Sequence, residues 1–171
     1  EELVRGAEAH FDICSAIHQH VARMVKDSLS VIRARAEIGQ PVQVRILGVD
    51  PDGDLIQWRE QEESTLDPTA GPPGWMADLS RRGLDLWTAE LAGINGVEIR
   101  VTNDRSLYSN AVFRFDDRMI TYPYTKASRT LDLPFALLAR ADVGGIFDSL
   151  TGHIDRMWET GVPYEPPATT T

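Results

Sequence analysis

The residues with the most specific chemical context lie in one stretch, SLYSNAVFRFDDRMI, between positions 106 and 120. Within it, a run of small residues from Ser109 to Ala111 precedes a double acid, Asp116-Asp117. Apolar and aromatic residues stand on both sides of the double acid, which predicts two strands of a β-hairpin with the two acids at its turn. Catalysis by two carboxylates needs them to face one another across a pocket, and adjacent positions do not provide that arrangement. The simpler interpretation is that the acids are turn residues.

The sequence carries no further signature of metal, cofactor or nucleophile chemistry. The stretch GVDPDGD lacks the Lys-Ser/Thr end of a phosphate-binding loop and the glycine spacing of a dinucleotide site. Cys14 is the single cysteine and stands in an apolar run, so we interpret it as a buried side chain and find no zinc pattern. His18 and His20 are two positions apart and would lie on different sides of a helix, which predicts surface or core histidines. We expect no metal and no cofactor.

The composition is that of a single globular domain. The 171 residues are 42% hydrophobic and 25% charged. The net charge of −9 argues against non-specific binding of this segment to a nucleic-acid backbone. No apolar stretch reaches about 18 residues, and no signal peptide opens the chain, so we expect no membrane span and a cytoplasmic location. Because the chain starts at Glu1 and not at a methionine, we expect it to be cut from a longer protein.

Hydrophobic periodicity predicts an α/β fold in which a mixed β-sheet is layered with helices. The central strands are expected to include 42–48, 97–102 and 110–115. Further strands are expected at 10–16 and 118–124, and 134–140 reads as a strand or as the start of a helix. Helices are predicted at 1–9, 17–38, 54–64, 75–94 and from 146 to 158. One domain would then cover 1–162, followed by a disordered tail at 163–171 that is rich in proline and threonine.

The hairpin, together with the ILGVDP strand and the GVEIRVTN strand before it, resembles the core of the phospholipase D-like phosphodiesterase fold. That family carries the motif His-x-Lys-x4-Asp. If Asp116 takes the place of the motif's aspartate, the lysine position falls on Ala111 and the histidine position on Ser109. Serine and alanine supply neither the nucleophile nor the clamp on the phosphoryl oxygens. The resemblance therefore implies a degenerate site in which Asp116 and Asp117 remain as a structural hairpin.

From about residue 10 to residue 160 the chain is similar to phospholipase D-like domains that follow helix-turn-helix domains in actinobacterial regulators of the XRE type. VRILGVDP corresponds to their VRILLGDP-like strand, GVEIR to their GVEVR strand, and LYSNAVFRFDDRM to their LYNSIYRFDDEM-like hairpin. The stretch HFDICSAIHQH departs from their leucine-rich first strand. This resemblance implies that DNA is contacted only through a separate helix-turn-helix domain that is not in this chain.

Three functions stay open at this point. The first is a non-catalytic ligand-sensing or regulatory domain that binds a small molecule in the cleft at the strand ends. The residues proposed for that cleft are Arg45, Tyr108, Ser109, Asn110, Tyr122 and Tyr124. The second is an active phosphodiesterase or nuclease that uses other residues, and the third is a pure dimerisation module with Trp75, Trp87 and Trp158 at its seam. A homodimer is expected, since the family pairs half-sites and bacterial regulators are two-fold.

Overall fold

The structure of the chain is a computed structural model that describes residues 2–124, 134–141 and 143–167. The described part contains seven strands, which form one mixed sheet in the order β6-β5-β4-β1-β2-β3-β7. The strands are β1 (His10–Cys14), β2 (Gln43–Val49), β3 (Val97–Thr102), β4 (Asn110–Phe115), β5 (Arg118–Pro123), β6 (Ala136–Ala139) and β7 (Val162–Pro163). The helices are α1 (Glu2–Gly6), α2 (Gln19–Val25), α3 (Leu29–Glu37), α4 (Asp54–Leu66), α5 (Trp75–Glu90) and α6 (Ile146–Thr160). Two 3₁₀ helices cover Lys26–Ser28 and Arg105–Tyr108.

The connections explain why the sheet is mixed. β1, β2 and β3 are parallel because helices cross over between them, whereas β4, β5 and β6 pair antiparallel, and β4 and β5 are joined by the Asp116-Asp117 turn. The predicted α/β fold with a mixed sheet is therefore confirmed. β1 occupies the centre of the sheet, between β2 and β4, and Ile13 lies opposite both Ile46 and Phe113. β3 is internal but lies next to the edge strand β7.

Each face of the sheet has its own core. On one face, Phe11 stacks against Phe115 and meets the edge of Trp87, a fully buried residue of α5. On the other face, Leu47 and Met119 pack in a cluster that includes α6 residues. Residues of β2 alternate between the two cores, which explains why the strand is almost continuously apolar in sequence. Because Trp87 and Trp158 are buried, they belong to the cores and do not form an open dimerisation seam.

The long helix expected at 17–38 is interrupted. α2 ends at Val25, the 3₁₀ turn Lys26–Ser28 follows, and α3 starts at Leu29. Ser30 donates a side-chain hydrogen bond to the Asp27 carbonyl, and Ser28 is fully buried. Aspartate and serine favour such local hydrogen bonds over a continuous helix, and the apolar periodicity alone does not reveal this competition.

The C-terminal segment is more ordered than predicted. Val162 and Pro163 pair with β3 as strand β7, and the Tyr164 hydroxyl donates a hydrogen bond of 2.7 Å to Asp85. The structure therefore differs from the predicted disordered tail at Pro163 and Tyr164. These residues are ordered because the edge of β3 offers unpaired backbone groups with which the chain can pair. Residues 168–171 of that tail lie outside the described residues. None of the described helices has the length and apolar character needed to cross a bilayer.

Candidate functional site

The turn of the β4–β5 hairpin is fixed by Asp116. This residue adopts a left-handed conformation with φ of 51°, and its carboxylate accepts hydrogen bonds from the amides of Glu8, Ala9 and His10 at 2.7 to 2.9 Å. Burial raises the pKa of Asp116, but these three hydrogen bonds outweigh that effect and lower the pKa. Asp117 is exposed and pairs with Arg140 at 3.2 Å. The carboxylate of Asp116 thus ties the hairpin to the chain segment that enters β1.

The two positions that the phospholipase D-like resemblance assigns to histidine and lysine hold Ser109 and Ala111. Ser109 follows the 3₁₀ helix, is exposed, and donates its hydroxyl to the Ser106 carbonyl at 2.7 Å. Ala111 is fully buried in β4, where its methyl group belongs to the core that contains Phe11. Neither position offers a nucleophile with an adjacent base or a cation for phosphate.

Three tyrosines meet beside Ser109, one from the second 3₁₀ helix, one from β5 and one just after β5. Tyr108 and Tyr124 have ring centroids 5.7 Å apart in an edge-to-face arrangement, and Tyr122 lies 5.8 Å from Tyr124. Trp58 from α4 reaches Tyr108 at 6.3 Å. We call Trp58, Tyr108, Tyr122 and Tyr124 the aromatic cluster. Edge-to-face pairs at these distances are favourable, so the cluster is a stable wall at the carboxyl end of β1.

The hydroxyl groups of the cluster differ in their hydrogen bonding. The Tyr124 hydroxyl lies 2.9 Å from the Ser15 hydroxyl and accepts a hydrogen bond from the Ala16 amide at 3.0 Å. The Tyr108 hydroxyl is buried and has no hydrogen-bond partner. Burial raises the pKa of both tyrosines, so both hydroxyls stay protonated at neutral pH. Since buried polar groups are nearly always paired, the Tyr108 hydroxyl requires an explanation.

Two arginines border the aromatic cluster. Arg59 of α4 places its guanidinium 5.5 Å from the Tyr108 ring, and it pairs with Glu62 at 2.5 Å and with Glu63. Arg105 lies 5.0 Å from the Trp58 ring centroid. Because two carboxylates already neutralise Arg59, the cluster is an aromatic surface with little net positive charge. Sequence reasoning missed Trp58 and Arg59, although a tryptophan within an otherwise polar predicted helix was a usable signal.

His18 is a further buried polar group near the same strand ends. Its ring is fully buried and packs so closely on Gly48 that a Cβ there would approach Nε2 to 2.9 Å. Burial lowers its pKa to about 4, against a smaller raising effect of the backbone of Leu47 and Ser15, and neither ring nitrogen makes a hydrogen bond of good geometry. His18 is therefore neutral at pH 7. It lies in the core, which is one of the two locations, surface or core, that the sequence predicts.

The structure brings Tyr108, Ser109, Asn110, Tyr122 and Tyr124 to one end of the sheet, but Arg45 does not join them. Arg45 lies opposite Asp12, which in turn lies opposite Arg114 on β4. Asn110 is four residues from Arg114 along β4, a separation of roughly 13 Å. Arg45 instead donates two hydrogen bonds to Asp12, at 2.8 and 2.9 Å, and pairs with Asp155 of α6.

Two surface grooves lie elsewhere on the described part of the chain. One of about 560 Å³ runs between α4 and the loop before α5 and is lined by Ile56, Glu60 and Ala77 among others. The other, of about 380 Å³, borders α3 at Ser30 and Arg33. Neither groove includes Ser109 or a residue of the aromatic cluster. No group of three or more metal-ligating side chains occurs within 2–124, 134–141 and 143–167.

Comparison with known proteins gives likeness of structure without likeness of sequence. No protein-family profile matches the chain, and no curated protein sequence matches it. TrmBL2, an archaeal chromatin protein described with a novel mode of DNA binding, superposes with a TM-score of 0.51 at 13% identity. That match covers 95% of this chain and 48% of TrmBL2, so the chain spans about half the length of that protein. NucT from Helicobacter pylori matches with a TM-score of 0.48 at 12% identity, over 95% of this chain and 87% of NucT. At this identity, the likeness to TrmBL2 establishes a shared fold and nothing about activity.

Proposed function

We propose that the chain is a non-catalytic, ligand-sensing domain of a bacterial transcriptional regulator, with a phospholipase D-like fold whose active site has degenerated. The observation that carries the proposal is the Tyr108 hydroxyl, which is buried without a hydrogen-bond partner and belongs to the residue before Ser109. Ser109 is the position that the family resemblance assigns to the catalytic histidine. A buried polar group that lacks a partner within the protein, in a cluster of aromatic side chains next to that position, is suited to bind a ligand.

The chemistry of the aromatic cluster defines the class of ligand. Its rings offer apolar contact, and the Tyr108 hydroxyl can donate one hydrogen bond and accept another. Arg59 is neutralised by Glu62 and Glu63, so a multiply charged phosphate gains little there. A small neutral or weakly polar molecule with an aromatic ring and one hydroxyl or carbonyl group fits these properties best.

The regulatory setting is part of the same proposal. TrmBL2, whose fold the chain shares, is a DNA-binding chromatin protein. With a net charge of −9, the present chain is a poor surface for phosphate contacts, so DNA contact is assigned to a separate helix-turn-helix domain outside it. Two-fold DNA sites favour a homodimeric regulator. A bacterial regulator that acts on DNA works in the cytoplasm.

The Tyr108→Phe variant tests whether the buried Tyr108 hydroxyl lacks a partner in the free protein and binds a ligand. It removes a buried hydroxyl that has no partner, so the free energy of unfolding should rise by about 1–3 kcal/mol without ligand. Phenol serves as the probe, because its ring suits the cluster and its hydroxyl can pair with Tyr108. Titration followed by amide chemical shifts should show phenol shifting the Ser109 and Asn110 signals, and Tyr108→Phe should weaken binding by about fivefold.

Tyr164→Phe is the matched control for that experiment. The Tyr164 hydroxyl is paired with Asp85, so its removal should lower stability by about 1 kcal/mol and leave phenol binding unchanged. If Tyr108→Phe is less stable than the parent, the hydroxyl is satisfied in solution by the protein itself. If phenol leaves the Ser109 and Asn110 signals in place at millimolar concentration, the ligand-binding proposal fails.

The absence of catalysis is a second prediction. The purified chain should not hydrolyse bis(4-nitrophenyl) phosphate above the buffer rate, because Ser109 and Ala111 provide neither a nucleophile nor a phosphate clamp. Release of 4-nitrophenolate measured at 400 nm checks this expectation. Turnover that survives further purification and disappears in Ser109→Ala would contradict the proposal and favour the nuclease alternative.

A further inference from the structure

The sheet ends on β6, whose outer side pairs with no described strand. Phe135 and Leu137 point two large apolar side chains into solvent there, with 72% and 63% of their surfaces exposed. The five residues 135–139, Phe-Ala-Leu-Leu-Ala, contain no charge and no proline, and their pairing with β5 is free of bulges. Natural edge strands usually carry charges, prolines or bulges, which prevent pairing with other strands. An uncharged edge in a chain of net charge −9 is a place where two copies can approach without strong repulsion.

We infer that this edge is the interface of the proposed homodimer: β6 pairs antiparallel with β6 of a second copy, so that Leu137 lies opposite the partner's Leu137 across the two-fold axis. The two seven-stranded sheets would then form one continuous sheet through the dimer. The inference rests on the proposed homodimer and is independent of the proposed ligand.

The direction in which each β6 residue turns its backbone amide and carbonyl supports this register. The Arg140 amide donates to the Asp117 carbonyl in the β5 direction. Because alternate residues of an antiparallel strand turn their backbone groups to the same side, Leu138 and Ala136 also face β5. Leu137 and Ala139 therefore turn their amides and carbonyls outward. In the inferred register Leu137 meets its own copy, and Ala139 meets the partner's Phe135, so the outward-facing groups of both strands are paired.

Side-chain sizes are complementary in the same register. Phe135 lies opposite the partner's Ala139, and Ala136 lies opposite the partner's Leu138, so these two large side chains meet small ones, while the two Leu137 side chains meet each other at the axis. Arg118 is the β5 neighbour of Ala139, is exposed, and is paired with no residue of the described ranges. The ring of the partner's Phe135, crossing Ala139 on the same face, can reach the Arg118 guanidinium in a cation–π contact.

The size of the interface sets the expected strength. A standard stable interface buries roughly 1,600 Å² in total, and two five-residue edges bury less than this. We therefore expect a dimer with a dissociation constant of roughly 1 to 100 µM. Sedimentation velocity of the whole chain across that range should show a shift from a 19.0 kDa species to its dimer as concentration increases.

Leu137→Lys should abolish the dimer over that whole range, because the two-fold axis places the two added charges directly opposite each other. The matched control is Ile38→Lys, which adds the same charge at a side chain that is 71% exposed at the end of α3, away from β6. This control should dimerise like the parent. Leu137→Lys should still bind phenol, which separates failure of the interface from failure of the proposed function. A parent chain that stays monomeric at 100 µM, or a Leu137→Lys chain that dimerises normally, would overturn the inference.

Cysteine crosslinking tests the register itself. In a hydrogen-bonded antiparallel pair the Cα atoms are about 5.5 Å apart, within disulfide range, so Leu137→Cys should form a covalent dimer under mild oxidation. Ala139→Cys should not, since residue 139 of the partner lies about 13 Å away along the strand. A mixture of Phe135→Cys and Ala139→Cys chains should form the mixed disulfide. The native Cys14 is buried and does not compete. A disulfide from Ala139→Cys alone, with none from Leu137→Cys, would reject this register.

Discussion

Replacing Asp116 with alanine is expected to lower the free energy of unfolding by about 3 kcal/mol, as measured by urea denaturation. The variant removes a carboxylate that accepts three backbone hydrogen bonds, from Glu8, Ala9 and His10. It also places alanine in a left-handed conformation that suits aspartate better. Asp116→Gly separates the two effects, because glycine adopts this conformation without strain and still loses the hydrogen bonds. We expect Asp116→Gly to be the more stable of these two variants.

The adjacent Asp117 provides the matched control. Its carboxylate is 71% exposed and, among the described residues, pairs with the partly exposed Arg140, so Asp117→Ala should cost less than about 1 kcal/mol. Two neighbouring acids in one turn would thus differ several-fold in their contribution to stability. Equal losses from the two variants would contradict the assignment of Asp116 as the residue that holds the hairpin to the segment before β1.

The contribution of Asp116 should also depend on pH. Since the folded state lowers the pKa of this carboxyl, its stabilising effect is fully present above the unfolded value, near 3.9. The effect is lost as the pH falls through the lower folded value. The difference in unfolding free energy between the parent and Asp116→Asn should therefore be constant at neutral pH and shrink below about pH 4. A difference that increases on acidification would show that the pKa is raised.

Short-range patterns in the sequence predicted much of the fold. β2, β3 and the β4–β5 hairpin appear near their predicted positions because alternation, turn residues and continuous apolar runs report directly on the burial of each strand. α6 follows its predicted apolar stripe in the same way. The order of strands in the sheet depends on pairing between distant segments. The central position of β1 and the existence of β7 were therefore not visible in local patterns.

The candidate site was only partly predictable for the same reason. The cluster of Tyr108, Tyr122 and Tyr124 follows from the hairpin register, since all three lie near the start of β4 or the end of β5. Trp58 reaches this cluster because α4 packs beside the same strand ends, and no local pattern reports that packing. The sequence predicts Arg45 in the cleft because it lies near a strand terminus, where open sheets bind ligands. The structure gives it a different partner, Asp12, which is 33 residues earlier in the sequence.

The network around Asp12 explains how a buried sheet accommodates these charges. Asp12 has a side chain only 1% exposed, and it accepts two hydrogen bonds from Arg45 and one of 3.3 Å from Arg114. Hydrogen bonding to Asp12 raises the pKa of Arg45, which is therefore charged at every accessible pH. Asp155 of α6 pairs with Arg45 at 2.9 Å and completes a set of two carboxylates and two guanidinium groups. The set is neutral overall and binds α6 to the sheet.

Asp12→Ala is consequently expected to be the most destabilising single substitution among those considered, with a loss of about 3–5 kcal/mol, because it leaves Arg45 and Arg114 buried without their shared carboxylate. Asp155→Ala is the matched control: it removes the other carboxylate on Arg45, but that side chain is 49% exposed and should contribute less than about 1 kcal/mol. Urea denaturation of both variants measures the contrast. An Asp12→Ala chain that loses no more stability than Asp155→Ala would mean that water reaches the network and that Arg45 remains available to a ligand. The expected contrast would instead assign Arg45 to the architecture of the sheet and leave ligand recognition to the aromatic cluster at the strand ends.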